Sequence, residues 1–194
     1  MLDFLPVAAA AFGIPQYLPQ ILKLRRTGDT AGVSWSWATL TSINNAAWFC
    51  YFMASGYWTA SLPSTAAALL AGSLSVLLVR RGAVNRRAIG WIGGWVGLLG
   101  TAAVLGGRIG LGTLLAAASI VQVTPSLWTA YRTVRPSGIS PGTWVLVFGE
   151  LSCWFVFGLW KSDGRLITLG TTGVIASLLM LARVRQAGLV SAST

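Results

Sequence analysis

Two polar side chains in the middle of long apolar stretches, Glu150 and Asn44, are the first candidates for chemistry in this sequence. An ionisable group in the hydrocarbon core of a bilayer costs about 3 kcal/mol on insertion scales, so such residues usually face a cavity or a polar partner. A carboxyl group there could bind a cationic solute or carry a proton. The same two side chains could instead form hydrogen bonds that hold neighbouring helices together.

Each of these polar residues begins a run of aromatic side chains on one helix face. The spacing is i, i+4 and i+7, which places three side chains along one side of a helix. A polar group beside aromatic planes suits a sugar ring or a cation. The six predicted substrate-binding residues are therefore Asn44, Trp48 and Tyr51, and Glu150, Trp154 and Phe157.

Residues for the common catalytic and metal chemistries are missing from the sequence. It contains no His, and its two cysteines, Cys50 and Cys153, fall singly inside apolar stretches, where packing residues are expected. We therefore predict no catalytic residue, no metal site and no cofactor. The chain is not expected to be an enzyme.

The composition is that of a membrane protein, with 55% hydrophobic and 9% charged residues and a mean hydropathy of +0.70. A soluble domain has about a quarter of its residues charged, so the expected surroundings are lipid. Seven apolar stretches are each near the ~20 residues that a helix needs to cross a bilayer. The predicted fold class is an all-α integral membrane protein with seven transmembrane helices, at 4–22, 34–54, 61–79, 88–106, 109–130, 142–160 and 165–182.

The net charge of +10 comes from basic residues that alternate with the predicted helices. Eleven of the 14 Lys and Arg follow the first, third, fifth and seventh helices. By the positive-inside rule, the N-terminus is expected outside and the C-terminus in the cytoplasm. Nucleic-acid binding is not expected, because it needs a contiguous basic surface. The frequent Ala, Gly, Arg and Trp suggest a bacterial plasma membrane.

The sequence repeats itself, without a gap, at an offset of 106 residues. Each copy holds three helices, so one added helix gives the second copy the orientation of the first, as in parallel-repeat transporters. We predict a first repeat over 1–82, a linker helix over 83–107, a second repeat over 108–185 and a cytoplasmic tail over 186–194. The matched residues include Pro19 with Pro125, Arg26 with Arg132, Gly32 with Gly138, Leu40 with Leu146, and Trp48 with Trp154.

These matched segments resemble the PQ-loop repeat proteins, and in particular the SWEET and SemiSWEET transporters, over essentially the whole chain. The middle-helix pattern is similar too, in Trp48-x-x-Tyr51 and Trp154-x-x-Phe157-Gly158. The signature itself is Pro19-Gln20, a short basic loop and Gly32-Val33-Ser34, with Pro125-Ser126 and Gly138-Ile139-Ser140 in the second copy.

A proline inside a membrane helix removes a backbone hydrogen bond and produces a kink or a hinge. Pro19, Gln20, Pro125 and Ser126 are therefore the predicted hinge residues, and static kinks are the alternative. Pro141 resembles one of the paired gate prolines of SWEET transporters. Its repeat partner is Trp35, so the gate is incomplete.

The resemblance implies a small-solute transporter that works by alternating access between two triple-helix bundles, with a sugar as the substrate. Segments 61–79 and 165–182 lack the Asn that sugar carriers typically offer in their third helix. Gly149-Glu150 looks like the Gly-Asp of lysosomal amino-acid exporters, so a proton-coupled amino-acid or cationic-solute carrier is an alternative. A receptor or sorting protein similar to the KDEL receptor is another. Two halves in one chain are compatible with a monomer and with a homo-oligomer.

Overall fold

The computed structural model describes residues 2–27, 30, 34–84, 86–132 and 141–192, and every regular element in these ranges is helical. The prediction of an all-helical fold is therefore confirmed for these residues. The elements, in order, are α1 (Leu5–Gly13), a 3₁₀ turn (Ile14–Gln16), α2 (Leu18–Thr27), α3 (Trp35–Ser55), α4 (Trp58–Arg80), α5 (Arg86–Arg132), α6 (Pro141–Lys161) and α7 (Gly164–Ala192).

Four helices contain a stretch that is long and apolar enough to cross a membrane. They are α4, residues Arg86–Thr124 of α5, α6, and residues Gly164–Gln186 of α7. Helix α3 has 21 residues but is not among the four, because Asn44, Asn45 and several hydroxyl side chains lower its mean hydropathy. These apolar helices indicate a membrane-embedded protein. The count of seven membrane spans stays a prediction.

The first predicted helix, 4–22, is broken in the structure. A 3₁₀ turn at Ile14–Gln16 separates α1 from α2, and Pro15 lies in its centre. Because proline has no backbone N–H and clashes with the preceding turn, it interrupts the α-helical ladder there. Gly13 and Tyr17, on either side, keep right-handed helical dihedrals.

Helix α5 contains a reversal at Gly107, where φ is 56° and ψ is −149°. A Cβ placed on Gly110 would lie 2.6 Å from the carbonyl oxygen of Ala102, eight residues earlier. In a straight helix, positions eight residues apart are separated by about 12 Å. Within Gly13–Leu115, the chain therefore folds back on itself at Gly107, so that the start of the segment after Gly107 lies against 86–106. We call 86–106 the linker segment.

Helix α7 continues well past the predicted end of the seventh segment. The sequence predicts an apolar stretch to residue 182 and a tail over 186–194, whereas α7 extends to Ala192. The region predicted as a tail is thus helical as far as the structure describes it. No proline or glycine cap stops the helix between Leu181 and Gln186, which explains the extension.

The chain forms two compact units. The central unit comprises Gly13–Leu115. Its core contains Ile21, Leu24, Ala38, Leu74 and Leu78.

Small and polar side chains hold α3 and α4 of the central unit together as a hairpin. The Oγ1 of Thr39 lies 2.7 Å from the Oγ of Ser75, and the Oγ of Ser42 donates a 2.9 Å hydrogen bond to the carbonyl oxygen of Ala68. A Cβ on Gly72 would lie 3.0 Å from the Oγ of Ser42. The missing side chain therefore lets the two helices approach closely.

The terminal unit comprises Met1–Phe12 together with Ala116–Thr194. Glycines bring its α6 and α7 into backbone contact. A Cβ on Gly170 would lie 2.5 Å from the Cα of Phe155, and one on Gly158 would lie 2.7 Å from the backbone N of Ile167. Helices α6 and α7 thus form a second close hairpin.

The two compact units do not coincide with the predicted repeats. Their boundaries fall after Phe12 and after Leu115, inside the first helix of each predicted repeat. Compactness and duplication are different properties, so the repeat boundaries at 82, 107 and 185 stay predictions.

Candidate functional site

Asn44 lies near the middle of α3, a helix with well-formed caps. Ser34 has an extended backbone, and its Oγ accepts a 3.2 Å hydrogen bond from the backbone N of Trp37. Such a side chain satisfies one of the unpaired N–H groups of the first turn. At the other end, Gly56 has φ +73°, a left-handed conformation that glycine adopts without strain. Gly32 and Val33, two residues of the PQ-loop-like signature that precedes α3, lie outside the described residues.

The side chain of Asn44 is buried and hydrogen bonded to the linker segment. It is 8% exposed, and its Oδ1 accepts a 2.7 Å hydrogen bond from the indole Nε1 of Trp95. Both residues belong to the central unit. This is the helix-to-helix hydrogen bond that the alternative interpretation of Asn44 expects.

Trp95 is a residue that motif reasoning missed. It lies in the middle of the predicted span 88–106, whereas most other Trp of the chain lie near the ends of predicted helices. Trp collects at membrane interfaces because its N–H needs a polar partner. A Trp in the middle of a span therefore needs a hydrogen-bond acceptor within the protein. This mid-span position was the signal in the sequence that could have identified Trp95.

Trp48 and Tyr51 lie on the same face of α3 as Asn44, as the spacing predicts, but they are packed into the protein. Tyr51 is 1% exposed, and its ring meets Trp48 edge to face at 5.4 Å. Phe52 stacks on Trp48 at 5.5 Å. The aromatic planes are thus largely occupied by one another, and a solute could reach Tyr51 only after the helices moved apart.

Glu150 lies near the middle of α6 and is partly exposed, unlike Asn44. The residue before it, Gly149, packs against α1. A Cβ on Gly149 would lie 2.7 Å from the Cδ1 of Phe12. Helix α1 therefore passes close to α6 at the level of Glu150, within the terminal unit.

Trp154 and Phe157 follow Glu150 on α6 and repeat the arrangement of Trp48 and Tyr51. Both are buried, and their rings meet edge to face at 6.1 Å. The Nζ of Lys161 lies 5.6 Å from the centroid of the Phe157 ring. Each hairpin thus places a polar residue one helical turn before a buried Trp that packs against a second aromatic ring.

The turns that follow these helices share one geometry. Gly56 and Ser162, which are 106 residues apart, both have left-handed backbones, with φ 73° and φ 52°. Two hydrogen bonds close each turn in the pattern of a Schellman motif. They are Gly56 N to Met53 O (3.2 Å) and Tyr57 N to Phe52 O (2.9 Å), and Ser162 N to Leu159 O (3.1 Å) and Asp163 N to Gly158 O (2.9 Å).

The predicted hinge residues lie in different settings. Pro19 and Gln20 are in the first turn of α2, where a missing N–H costs little, and the break in the helix precedes them. Pro125 and Ser126 lie within the continuous second segment of α5. The side chains of these four residues are outside the described part of the structure, so the hinge role stays a prediction.

Pro141 and its repeat partner Trp35 occupy equivalent places, each as the first residue of its helix. Pro141 is exposed. A proline suits the first helical position because its fixed φ is already helical. This placement accounts for Pro141 without a gate, and the gate role stays a prediction.

In the part of the chain that the structure describes, no group of three His, Cys, Asp or Glu side chains is arranged to hold a metal ion. What the arrangement offers is polar recognition, through one buried amide and one partly exposed carboxyl, each beside aromatic rings.

Comparison of the sequence with models of protein families and with curated proteins found no match. The resemblance to the PQ-loop proteins therefore rests on the motifs of this chain.

Proposed function

We propose that this protein is a small-solute membrane carrier that works by alternating access between two helical bundles, with a sugar as its substrate. The observation that carries the proposal is the common geometry of the α3–α4 and α6–α7 hairpins. In each, a polar residue lies one helical turn before a buried Trp, and the helix ends in the same type of turn. Parallel-repeat transporters bind substrate near the bilayer midplane, between equivalent elements of two halves.

The chemistry of the two polar groups is compatible with hydroxyl recognition. The Oδ1 of Asn44 already accepts from Trp95, so its Nδ2 is the atom that would donate to a sugar hydroxyl. Glu150 would accept from a second hydroxyl. Trp48 and Trp154 would supply apolar ring faces once the helices separate, as alternating access requires.

A proton-coupled carrier of amino acids or cationic solutes is the second candidate, and the position of Glu150 favours it. Among the described acidic residues, Asp3 and Asp163 lie beside helix ends, whereas Glu150 lies inside an apolar helix and is partly exposed. An accessible carboxyl in a membrane helix is typical of proton relays and cation sites. A receptor or sorting protein without transport is the third candidate.

The proposal includes a topology. The basic residues after α2, α4, α5 and near the end of the apolar part of α7 would face the cytoplasm, and the N-terminus would lie outside. A bacterial plasma membrane is the proposed location.

Solute uptake into proteoliposomes tests the proposal. The purified full chain is reconstituted, and the uptake of labelled glucose, sucrose, lysine and cystine is measured against protein-free vesicles, with and without an inward proton gradient. Glu150→Gln keeps the size of the side chain and removes its charge. Ser152→Ala, two residues further along α6 and on another face of the helix, is the matched control.

We expect sugar uptake by the wild type, a loss of about ten-fold or more in Glu150→Gln, and little change in Ser152→Ala. Uptake of amino acids alone, stimulated by the proton gradient and lost in Glu150→Gln, would replace the sugar substrate by the second candidate. Uptake of none of the four solutes by folded protein would contradict the carrier proposal and favour a receptor.

A further inference from the structure

We propose that the end of α5 and the adjoining part of α7 form a binding site for the headgroup of an acidic phospholipid. The site consists of Trp128, Tyr131 and Arg132 on α5 and Arg183 on α7, all in the terminal unit. It is separate from Glu150 and its aromatic neighbours, and it does not depend on transport.

Two hydrogen bonds join the helices at this place. The Tyr131 hydroxyl donates a 3.0 Å bond to the carbonyl oxygen of Leu179, and the Nε of Arg183 donates a 3.1 Å bond to the carbonyl oxygen of Ala130. The carbonyls in the last turn of a helix lack helical partners and carry the negative end of its dipole. The guanidinium of Arg183 is thereby held at the end of α5, with its Cζ 5.9 Å from the centroid of the Tyr131 ring.

A second guanidinium is held by an aromatic ring. The Cζ of Arg132 lies 3.9 Å from the ring centroid of Trp128, a close cation–π contact. Stacking uses the face of the guanidinium and leaves its edge, with the N–H donors, to bind an oxyanion in a fork. Arg132 and Arg183 are thus held against two rings, Trp128 and Tyr131, that lie three residues apart on α5, and two guanidinium groups held in this way suit a phosphate diester.

The site lies where two apolar helical stretches end. The predicted apolar segment 109–130 ends two residues before Arg132, and the predicted apolar segment 165–182 ends directly before Arg183. Trp128 and Tyr131 are 59% and 47% exposed. Exposed Trp and Tyr at the end of a membrane helix are typical of the depth at which lipid headgroups lie.

The chain as a whole carries far more basic than acidic residues. The chain has 14 basic and four acidic residues, and two of the acids, Asp3 and Asp163, form ion pairs with Lys161 and Arg165. A third, Glu150, lies in the middle of α6. This excess of positive charge favours an anionic ligand for the site, and at headgroup depth the abundant anion is an acidic lipid.

Native mass spectrometry of the full chain in detergent measures this binding directly. The protein is titrated with phosphatidylglycerol or with phosphatidylcholine of the same acyl chains. The variants are Arg132→Gln, which removes the charge, and Trp128→Leu, which removes the supporting ring. Arg81→Gln is the matched control, since Arg81 is an exposed arginine just after the last turn of α4.

We expect the wild type to retain phosphatidylglycerol in preference to phosphatidylcholine. Arg132→Gln should weaken phosphatidylglycerol binding by about five-fold, Trp128→Leu by a smaller factor, and Arg81→Gln should not change it. Equal losses in Arg132→Gln and Arg81→Gln would mean attraction by net charge without a site, and would overturn the proposal. Binding of inorganic phosphate without lipid, with the same dependence on Arg132, would assign the site to a soluble anion and overturn the lipid assignment.

Discussion

The indole Nε1 of Trp95 and the side-chain Oδ1 of Asn44, 2.7 Å apart, join the linker segment of α5 to the middle of α3. An unpaired indole N–H or amide oxygen in an apolar interior loses its solvation, so each group satisfies the other. The linker segment therefore supplies a polar partner to the middle of α3. It also fixes the orientation of the Asn44 amide within the central unit.

The hydrogen bond between Trp95 and Asn44 is expected to stabilise the central unit. Trp95→Phe removes the donor and keeps an aromatic ring, and Asn44→Leu removes the acceptor at similar size. In a double-mutant cycle we expect a coupling free energy of about 0.6 to 1.7 kcal/mol, the range found for hydrogen bonds between membrane helices. Thermal unfolding of the four proteins in detergent measures it.

Trp91→Phe is the control for that cycle. Trp91 lies one turn before Trp95 and is 84% exposed, so its replacement should leave stability nearly unchanged. Effects of Trp95→Phe and Asn44→Leu that simply add would contradict the predicted coupling.

Gly170→Ala is expected to destabilise the α6–α7 hairpin. The added methyl group would lie 2.5 Å from the Cα and backbone N of Phe155, and a backbone cannot move aside as a side chain does. Overpacking of this kind costs about 1 to 3 kcal/mol in the free energy of unfolding. In contrast, Gly93 in the linker segment has no atom within 4 Å of an added Cβ.

Gly93→Ala is therefore the matched control, a change of the same two residue types in a helix with open space. It should leave the unfolding midpoint unchanged or raise it, because Ala favours the helix over Gly by about 1 kcal/mol. If both variants unfolded at the same temperature, the close approach of Gly170 to Phe155 would be refuted.

Ser162→Gly is expected to stabilise the protein. Ser162 has φ 52°, a left-handed conformation that costs an L-residue about 1 kcal/mol or more and that glycine adopts freely. The hydrogen bonds of the turn involve backbone atoms only and are retained. We expect the unfolding midpoint to rise, and the reciprocal change, Gly56→Ser, to lower it by a similar amount. A fall in the midpoint of Ser162→Gly would argue against the turn geometry.

The ion pair between Asp3 and Lys161 should make stability depend on acid pH. The Nζ of Lys161 donates a 2.6 Å hydrogen bond to the Oδ1 of Asp3, which holds the pKa of this carboxyl below its ordinary value of 3.8. With a lowered pKa in the folded state, the contribution is complete above the unfolded-state pKa. It is lost as the pH falls through the folded-state pKa.

Asp3→Asn isolates this contribution, since the other acidic residues titrate alike in both proteins and cancel in the difference. We expect the wild type to unfold at a higher temperature than Asp3→Asn at about pH 6, and the two midpoints to converge towards about pH 2. Thermal unfolding across this range measures the difference. A gap that stayed constant with pH would show that the ion pair contributes nothing.

Several elements could be predicted from the sequence because their causes are local. The apolar stretches 34–54, 61–79 and 142–160 agree with α3, α4 and α6 to within three residues at each end. A helix in this chain begins and ends where local capping and turn residues interrupt it, as at Ser34 and Gly56. The i, i+4, i+7 spacing likewise placed Asn44, Trp48 and Tyr51 on one face, because helix geometry is itself a local property.

The break in the first helix shows the limit of local reasoning. The prolines at 15 and 19 were visible in the sequence, and a hinge was predicted at Pro19. The structure interrupts the helix around Pro15 instead, and accommodates Pro19 in the first turn of α2. Two nearby prolines offer alternative places for the same interruption, and the local sequence alone does not choose between them.

By itself, the sequence determined that the chain is apolar, that its described parts are helical, and that its segments are separated by glycine, proline and basic residues. These properties follow from composition and from contacts between near neighbours. The tertiary structure decided which polar groups are satisfied and which side chains are accessible. It paired Asn44 with Trp95, 51 residues away, left Glu150 partly exposed, and buried the aromatic rings that spacing alone placed on a shared face. Burial and hydrogen bonding depend on what lies opposite a helix face, and the neighbours opposite come from distant parts of the chain.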